Sequence, residues 1–269
     1  MTHLPILTLD LARRIERRVA PEVTPPGQRP EPGAATVAKF GSAIAAKARG
    51  GRPRNQVFCF GHADLDRLEE ILAFYAVDNL EPCFYLAPMG FTREVAGALD
   101  AAGFVQREFE QAILYGLPAP EVPLPPPGVS IERVTAANLE EFVRTTAEGF
   151  EWPPEWRDAA MDGLRRAFRP ESYRFLARFK GEPAGVGSLR GVRDRIANLG
   201  GGAVVPLLRG KGCHLALVQH RLKVAHTLDC EWIQAGATFG SASFRNQQRA
   251  GLRLAYIESG WSRGPAGAG

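Results

Sequence analysis

The stretch that decides the fold is Gly202-Ala-Val-Val-Pro-Leu-Leu-Arg-Gly-Lys-Gly-Cys-His-Leu-Ala-Leu-Val218. It predicts a strand that ends in a short turn with two glycines, followed at once by an amphipathic helix. Glycine lets the backbone approach a ligand closely, and the free N–H groups at a helix N-terminus bind anions. Arg209 and Lys211 add positive charge beside Gly210 and Gly212. The stretch therefore predicts a binding site for a phosphate or pyrophosphate group.

Two common phosphate-binding motifs do not fit this turn. A P-loop requires a glycine five residues before Gly210, where the sequence has Val205, and a hydroxyl side chain where it has Gly212. A dinucleotide-binding fingerprint requires a third glycine where the sequence has Leu215, and the neighbouring strands do not alternate with long helices. Both motifs are therefore excluded.

The turn and a later segment together resemble the GNAT superfamily of acyl-CoA-dependent N-acyltransferases. Leu207-Leu-Arg-Gly-Lys-Gly212 matches the superfamily's pyrophosphate loop, [Q/R]-x-x-G-x-[G/A], at both glycines, with Leu207 where Gln or Arg is usual. Residues 241–256 resemble the late GNAT helix and the strand that follows it. The resemblance covers Val129 to Arg263. The alternative interpretation is a glycine-rich turn that opens an unrelated helix.

The resemblance implies an α+β GNAT fold, a mixed and mostly antiparallel sheet flanked by helices, for residues 129–265. The proline-dense stretch Pro118–Gly128 predicts a stiff linker before it. In residues 1–117 we predict a helix over Leu9–Val19, a loop over Pro21–Gly33 and then the order β-α-β-α-β. The end of this segment resembles a smaller, degenerate α/β GNAT-like domain that lacks the glycine loop. We expect this accessory domain to shape the substrate cleft or the interface of a homodimer.

The resemblance also implies the cosubstrate, which is acetyl-CoA, and the residues that bind it. Backbone groups at the end of the strand would pair with the pantetheine amides, and backbone N–H groups of the loop would hold the pyrophosphate. The implied CoA-binding residues are Ala203, Val204, Val205, Arg209, Gly210, Lys211, Gly212, Cys213, His214, Ser243 and Asn246.

The implied reaction transfers an acetyl group from acetyl-CoA to a primary amine of a small molecule or peptide, by direct attack in a ternary complex. Two groups that the superfamily often uses are missing, because Ile196–Val205 contains no acid and Gln247 stands where a Tyr is usual. Glu151 and Tyr256 are the remaining side-chain candidates for proton transfer. Water chains and the ionisation of the substrate itself are the alternatives. A non-catalytic acyl-CoA-binding sensor is the alternative function.

Composition and charge limit which other classes of function are possible. The 269 residues are 45% hydrophobic and 23% charged, which is typical of a globular protein of about two domains. The net charge of +4 is spread without a block of like charge, so we expect no nucleic-acid partner. We find no membrane-spanning apolar run and no signal sequence, so we expect a cytoplasmic protein without a membrane partner.

The four cysteines, Cys59, Cys83, Cys213 and Cys230, lie far apart in the sequence. This spacing predicts free thiols and no metal site. Cys213 leaves two interpretations open, because it follows the glycines at a helix start near basic side chains. It is either a thiol with a lowered pKa or a small apolar residue that fits there.

Overall fold

The computed structural model describes residues 4–19, 35–47 and 55–263, and it divides into two compact units. Within the described ranges, the N-terminal unit comprises residues 5–113 and 255–263, and the C-terminal unit comprises Leu4 and Leu114–Leu254. The predicted linker at 118–128 thus belongs to the C-terminal unit. The predicted loop at 21–33 lies outside the described residues.

The described part of the N-terminal unit contains three helices and six strands, and two of these strands have residues in both units. They are α1 (Leu9–Val19), β1 (Thr36–Phe40), β2 (Ala43–Lys47), β3 (Gln56–Phe58), α2 (Leu68–Ala76), β4 (Cys83–Leu86), α3 (Arg93–Ala101), β5 (Val105–Gly116) and the last strand of the chain (Arg253–Ser262). The strand order is β1-β2-β3-β4 and then the last strand. β3 and β4 run parallel, and the other neighbouring pairs run antiparallel.

The C-terminal unit holds the remaining elements in its described part. They are β6 (Val129–Arg133), α4 (Leu139–Gly149), α5 (Pro154–Arg166), β7 (Tyr173–Phe179), β8 (Glu182–Arg193), β9 (Ile196–Val204), α6 (Cys213–Thr227), β10 (Trp232–Thr238) and α7 (Ala242–Arg249); the last strand of the chain is β11. The order is β10-β9-β8-β7-β6, with only the β9–β10 pair parallel. The predicted mixed, mostly antiparallel sheet flanked by helices is confirmed.

Local sequence signals explain where several of these elements begin and end. The β7–β8 hairpin turns at Lys180 and Gly181, whose φ angles of 51° and 89° lie in the left-handed region. Helix α5 starts with Pro154, a residue that suits the first helical position. Helix α7 is capped by Ser241, whose Oγ accepts a hydrogen bond of 3.1 Å from the N–H of Phe244. These signals place α7 directly beside the end of β10.

The sequence alone predicts a helix over Leu65–Tyr75 with Asp64 as its cap, and the segment before α2 differs from this prediction. A 3-10 turn occupies His62–Arg67, and the helix begins only at Leu68. The buried Asp64 carboxylate accepts hydrogen bonds from the N–H and Oγ of Ser42 at 2.7 and 2.6 Å, and from the Gly61 N–H at 3.1 Å. Because these bonds reach the β1–β2 turn, Asp64 holds a hairpin that the sequence pattern did not predict.

The last strand was predicted to complete the C-terminal domain, but from Ala255 onward it lies in the N-terminal unit. There it pairs with β4, with Trp261 opposite Phe84 and Ser259 opposite Leu86. Trp261 packs into the core cluster that also contains Phe84 and Phe104. Burial of these aromatic rings is the physical reason for the placement, because large aromatic side chains dominate core energetics.

One part of the core of the C-terminal unit lies between its sheet and helix α4, with partly buried side chains of α5 packed against it. Phe142 and Val143 from α4 are buried against Leu176 of β7 and Val186 of β8. Ala203 of β9 belongs to the same cluster, so the end of that strand is held rigidly under α4. No helix in the described part of the chain is long and apolar enough to cross a membrane.

Candidate active site

Strands β9 and β10 pair over only part of their length. Their parallel register runs from Ile196 opposite Trp232 to Leu199 opposite Ala235. Strand β9 continues to Val204, and β10 continues to Thr238. Beyond Leu199, the edge of β9 that faces β10 is therefore open to a ligand's amide groups, since an unpaired strand edge presents free N–H and C=O groups.

The glycine turn joins β9 to α6 and needs its two glycines for their conformation. Gly210 and Gly212 have φ angles of 79° and 85°, which side chains other than glycine rarely adopt. A Cβ on Gly212 would also lie 2.7 Å from Cγ of Pro126, whereas a Cβ on Gly210 would meet nothing within 4 Å. Gly210 is therefore fixed by its backbone angle, and Gly212 by both angle and space.

The N-terminus of α6 supplies backbone donors at this turn. The first intrahelical hydrogen bond is donated by the Ala216 N–H to the Gly212 carbonyl, at 3.0 Å. The N–H groups of residues 213–215 precede that bond, so they are the free donors of the first turn. Together with the positive end of the helix dipole, they can hold an anion.

The open strand edge, the glycine turn and helix α7 enclose one cleft of about 670 Å³. Nine of the eleven predicted CoA-binding residues line it. The lining residues are Gly149, Phe150, Gly202, Ala203, Val204, Leu208, Arg209, Gly210, Gly212, Cys213, His214, Leu215, Ala242, Ser243, Arg245, Asn246 and Arg249.

Two predicted CoA-binding residues do not line this cleft. The N–H of Val205 donates to the Ala184 carbonyl at 2.9 Å, and the residue is buried, so its N–H is already used within the protein. The Lys211 ammonium lies 6.0 Å from the centre of the Phe179 ring, outside the cleft lining. From its position on the turn, Lys211 can still contribute positive charge to the site.

Sequence reasoning missed the cleft residues that α7 contributes besides Ser243 and Asn246. Ala242, Arg245 and Arg249 line the same cleft. These positions recur three and four residues apart and so share one helical face. That periodicity was the available signal for a basic face on α7.

A second cleft of about 580 Å³ lies between helices α4 and α5 and the segment after β9. Its walls combine apolar side chains with two arginines and two glutamates. The lining residues are Arg144, Ala147, Glu148, Glu151, Arg157, Met161, Pro206 and Leu207.

Glu151, predicted as a catalytic residue, lines the second cleft and pairs with a residue of the first. Its Oε2 lies 2.6 Å from Nη2 of Arg209, and the two side chains are 62% and 52% exposed. Nε of Arg209 also donates to the Val204 carbonyl at 3.3 Å. The predicted carboxylate and the predicted loop cation thus form one exposed ion pair where the two clefts adjoin.

Tyr256, the other predicted catalytic residue, lies in the N-terminal unit and lines neither cleft. Its ring is buried, and within the described residues its hydroxyl has no hydrogen-bond partner. Burial, together with the neighbouring Glu258 and Glu16, holds the pKa of Tyr256 well above its ordinary value. Its phenol therefore stays protonated in a buried environment.

Cys213 is almost fully buried, at 1% exposure. Burial raises the pKa of its thiol, so the interpretation with a lowered pKa is wrong. Desolvation outweighs the helix N-terminus here, because it disfavours the charged thiolate. Cys213 therefore serves as a small apolar residue behind the turn.

A fully buried cation lies under the cleft. Arg221 of α6 donates hydrogen bonds of 2.9 to 3.1 Å to the carbonyls of Leu217, Ser188 and Gly200, and burial lowers its pKa to about 10. A Cβ on Gly187 would lie only 3.0 Å from Cζ of Arg221. The bonds to carbonyls of β8 and β9 tie helix α6 to both strands.

No group of His, Cys, Asp and Glu side chains in the ranges 4–19, 35–47 and 55–263 is arranged to hold a metal ion. None of the four cysteines, all of which lie in the described ranges, forms a disulfide.

With the geometry established, comparison with solved structures shows the GNAT fold. A GCN5-related N-acetyltransferase from Kribbella flavida matches with a TM-score of 0.67 and 15% identity, over 87% of this chain and 91% of that chain. One from Sphaerobacter thermophilus matches with a TM-score of 0.60 and 16% identity, over 82% and 76%.

A tandem GNAT protein from the clavulanic acid biosynthesis pathway matches with a TM-score of 0.62 and 15% identity, over 96% of this chain and 94% of that chain. No model of a protein family matches the chain, and no curated protein sequence matches it. The resemblance inferred from the glycine turn and the late helix is thus confirmed at the level of the fold.

Proposed function

We propose that the protein is an N-acetyltransferase that transfers an acetyl group from acetyl-CoA to a primary amine by direct attack in a ternary complex. The observation that carries the proposal is the single cleft in which the open edge of β9 leads into the glycine turn and the N-terminus of α6. This arrangement offers strand hydrogen bonds to an extended amide chain and helix donors to a pyrophosphate. An acyl-CoA molecule combines these two groups.

In this proposal the pyrophosphate lies against the backbone N–H groups from Gly210 to His214. The pantetheine arm extends along Ala203 and Val204, whose edge beyond Leu199 is not paired with β10. The turn has room for such a ligand, because the space beside Gly210 that a side chain would occupy is open. The thioester then lies near the point where the two clefts adjoin.

We place the amine acceptor in the second cleft. Glu151 lines this cleft beside the end of the first, so we propose it as the group that receives the amine proton, directly or through water. Its ion pair with Arg209 holds the carboxylate where the two clefts adjoin. Tyr256 has no role in this scheme, because its hydroxyl is buried in the N-terminal unit.

We further propose that the N-terminal unit is a degenerate GNAT-like repeat. Its order β3-α2-β4-α3-β5 repeats the order β9-α6-β10-α7-β11, and in both series the first two strands pair in parallel. The match of a tandem GNAT protein over 96% of the chain supports this interpretation. The turn after β3 holds a 3-10 turn in place of the glycine loop, so we assign CoA binding to the C-terminal unit alone.

The test is calorimetric titration of the full chain with acetyl-CoA and with CoA, followed by assays of thiol release with a panel of amines. We expect binding of both ligands and amine-dependent release of free CoA. Absence of binding would contradict the proposal in all its forms. Binding without thiol release for any amine would favour a non-catalytic acyl-CoA sensor, which the missing strand acid and the Gln247 position also suggest.

Arg144 of the second cleft points to an acceptor that carries a negative group besides its amine. Glu140 and Glu141, next to Arg144, are already bonded to Arg165 and Arg178. Within the described residues Arg144 makes no ion pair of its own. A carboxylate or phosphate on the acceptor would therefore find an unpaired guanidinium there.

We accordingly predict that Arg144→Ala raises KM about tenfold for amines that carry a carboxylate, with little change in kcat, because a charge-assisted hydrogen bond is lost. KM for uncharged amines should stay the same. Arg166→Ala, which removes an exposed arginine outside the cleft, is the matched control. Steady-state kinetics with paired acceptors measures the difference, and an equal effect on both acceptor classes would refute the predicted contact.

A further inference from the structure

Five polar side chains form a connected hydrogen-bond chain at the wall of the first cleft. His214 of α6 lies at its centre, with Nε2 3.3 Å from Oγ of Ser243 and Nδ1 3.4 Å from Nδ2 of Asn246. Arg249 contacts Asn246, and Gln247 contacts Ser243. We call these five residues the polar chain. The direction of each hydrogen bond in it follows from groups that can only donate or only accept.

The orientation of Asn246 is set by Arg249. A guanidinium only donates, and Nη1 of Arg249 lies 2.9 Å from Oδ1 of Asn246, so this oxygen is the acceptor. The amide nitrogen of Asn246 then faces Nδ1 of His214. Because an amide nitrogen only donates, Nδ1 of His214 must accept and carries no hydrogen.

The proton of His214 therefore resides on Nε2. Burial, with a smaller contribution from the nearby Arg221, lowers the pKa of His214 to about 4, so the imidazole is neutral at physiological pH. A neutral imidazole with an accepting Nδ1 has its N–H at Nε2. That N–H points at Oγ of Ser243 and donates to it.

Gln247 supplies a second donor to the same oxygen. Its Nε2 lies 3.4 Å from the Gly236 carbonyl, which only accepts, so the amide nitrogen must be on this side. The same nitrogen lies 3.2 Å from Oγ of Ser243. The Gln247 side chain is buried, and its Oε1 has no hydrogen-bond partner within the described residues. Ser243 is therefore the side chain that the Gln247 amide orients.

We propose that Ser243 presents its hydroxyl hydrogen to the cleft as an obligatory donor and binds an acceptor atom of acetyl-CoA. A hydroxyl has two lone pairs and one hydrogen, and His214 and Gln247 use both lone pairs. Ser243 lines the cleft together with Gly202. A Cβ added to Gly202 would lie 3.4 Å from Nε2 of His214. The acceptor atom is a carbonyl oxygen of the pantetheine arm or the sulfur as its bond to the acetyl group breaks. This inference rests on the proposed function.

His214, Asn246, Gln247 and Arg249 are positioning residues in this arrangement, since they act through Ser243. The neutral tautomer of His214 is the pivotal element. If its proton moved to Nδ1, the hydrogen would face the amide hydrogens of Asn246, and the hydroxyl of Ser243 would turn away from the cleft to donate to Nε2. Whether Ser243 donates its hydrogen to the cleft therefore depends on which ring nitrogen of His214 carries the proton.

The tautomer can be measured on the unliganded full chain by ¹⁵N NMR of the histidine side chains, with His214→Gln identifying the signal. We expect an unprotonated Nδ1 and a protonated Nε2 at neutral pH. The reverse assignment would overturn the inference, whether or not acetyl-CoA binds.

The contact itself is tested by calorimetry and kinetics on Ser243→Ala. We expect either a rise of about fivefold in Kd for acetyl-CoA and CoA, if the hydroxyl meets the pantetheine arm, or a comparable fall in kcat at unchanged Kd, if it meets the sulfur. His214→Leu should reproduce that loss and add nothing to Ser243→Ala in the double variant. His214→Gln should retain most of the wild-type value, because its amide can donate in place of Nε2.

Ser243→Ala with unchanged Kd and unchanged kcat would overturn the inference while the wild type still binds acetyl-CoA. A wild type that binds neither acetyl-CoA nor CoA would instead overturn the proposed function. Thermal unfolding of each variant tests whether a loss of affinity or of kcat is due to misfolding. Equal unfolding midpoints for His214→Leu and His214→Gln, with different Kd or kcat values, would separate the donor role from packing.

Discussion

Gly210→Glu is expected to lower the affinity for acetyl-CoA by at least about 100-fold, with the fold retained. A Cβ at this position meets nothing within 4 Å, so the new side chain has room and does not force the turn apart. Its carboxylate would, however, stand where we place the pyrophosphate. Like charges in close contact cost several kcal/mol, and each 1.4 kcal/mol is about tenfold in Kd.

The backbone strain of this variant has to be separated from the charge. Gly210 has a φ of 79°, so any side chain there costs on the order of 1 kcal/mol. Gly181 in the β7–β8 hairpin is a matched control, because its φ is 89°, its Cβ would also meet nothing, and it lines neither cleft. Gly181→Glu should therefore show the same strain and unchanged affinity.

Isothermal titration with acetyl-CoA measures the effect, and Gly210→Ala gives the contribution of strain alone. We expect Gly210→Ala to weaken binding less than Gly210→Glu. Affinity for acetyl-CoA that is equal in Gly210→Glu and the wild type would contradict the assignment of the pyrophosphate to this turn.

Much of the C-terminal unit could be predicted because its sequence signals are local. The glycines at 210 and 212 are required by their φ angles, and the helix that follows has its first free donors at residues 213–215. The Lys180-Gly181 turn and the Ser241 cap likewise mark element ends within a few residues. Such local chemistry is readable from the sequence alone.

The parts that could not be predicted depend on contacts between distant segments. The burial that raises the pKa of the Cys213 thiol is not visible from its basic neighbours in sequence. The last strand joins the N-terminal unit because Trp261 packs with Phe84 and Phe104, more than 150 residues away in the chain. Tyr256, on the same strand, lies in the N-terminal unit as well and lines neither cleft.

The polar chain shows the same limit inside the candidate site. Ser243 and Asn246 were predicted as CoA contacts, and Gln247 was noted only for the missing Tyr. Their hydrogen-bond directions follow from Arg249, which orients Asn246, and from the Gly236 carbonyl, which orients Gln247. Asn246 in turn fixes the proton position of His214, 29 residues before Ser243. Sequence spacing places these side chains on one helix, but only the structure shows which groups donate.

A second large effect is expected from two carboxyl groups of the N-terminal unit, the buried Glu258 and the half-buried Glu16. Burial raises the pKa of Glu258 to about 8, with a smaller contribution from Glu16. Burial also raises the pKa of Glu16 to about 7, against the opposing charges of Arg13 and Arg17. Both groups therefore hold a proton in the folded protein at a pH at which the unfolded chain has released it. Glu258 is 4% exposed, so water screens this effect little.

The direction of the pH dependence follows from proton linkage. The unfolded carboxyl has a pKa of 4.5, so the folded state binds more protons from about pH 4.5 to about pH 8. The free energy of unfolding should fall as pH rises through this range, by on the order of 4 kcal/mol for Glu258 alone. The pKa of His214 is lowered to about 4, so it acts in the opposite direction only below its unfolded value of 6.5.

Glu258→Gln should therefore stabilise the protein at about pH 8 and have little effect near pH 5, where the wild-type carboxyl is already neutral. Thermal unfolding and hydrogen exchange of the last strand, measured from pH 7 to 8.5, avoid the titration of His214. Glu69→Gln, which neutralises an exposed glutamate on α2, should leave the pH slope unchanged. A Glu258→Gln slope as steep as that of the wild type would show that Glu258 is ionised in the folded state, because a carboxyl makes the unfolding free energy decrease toward alkaline pH only if it takes up a proton on folding.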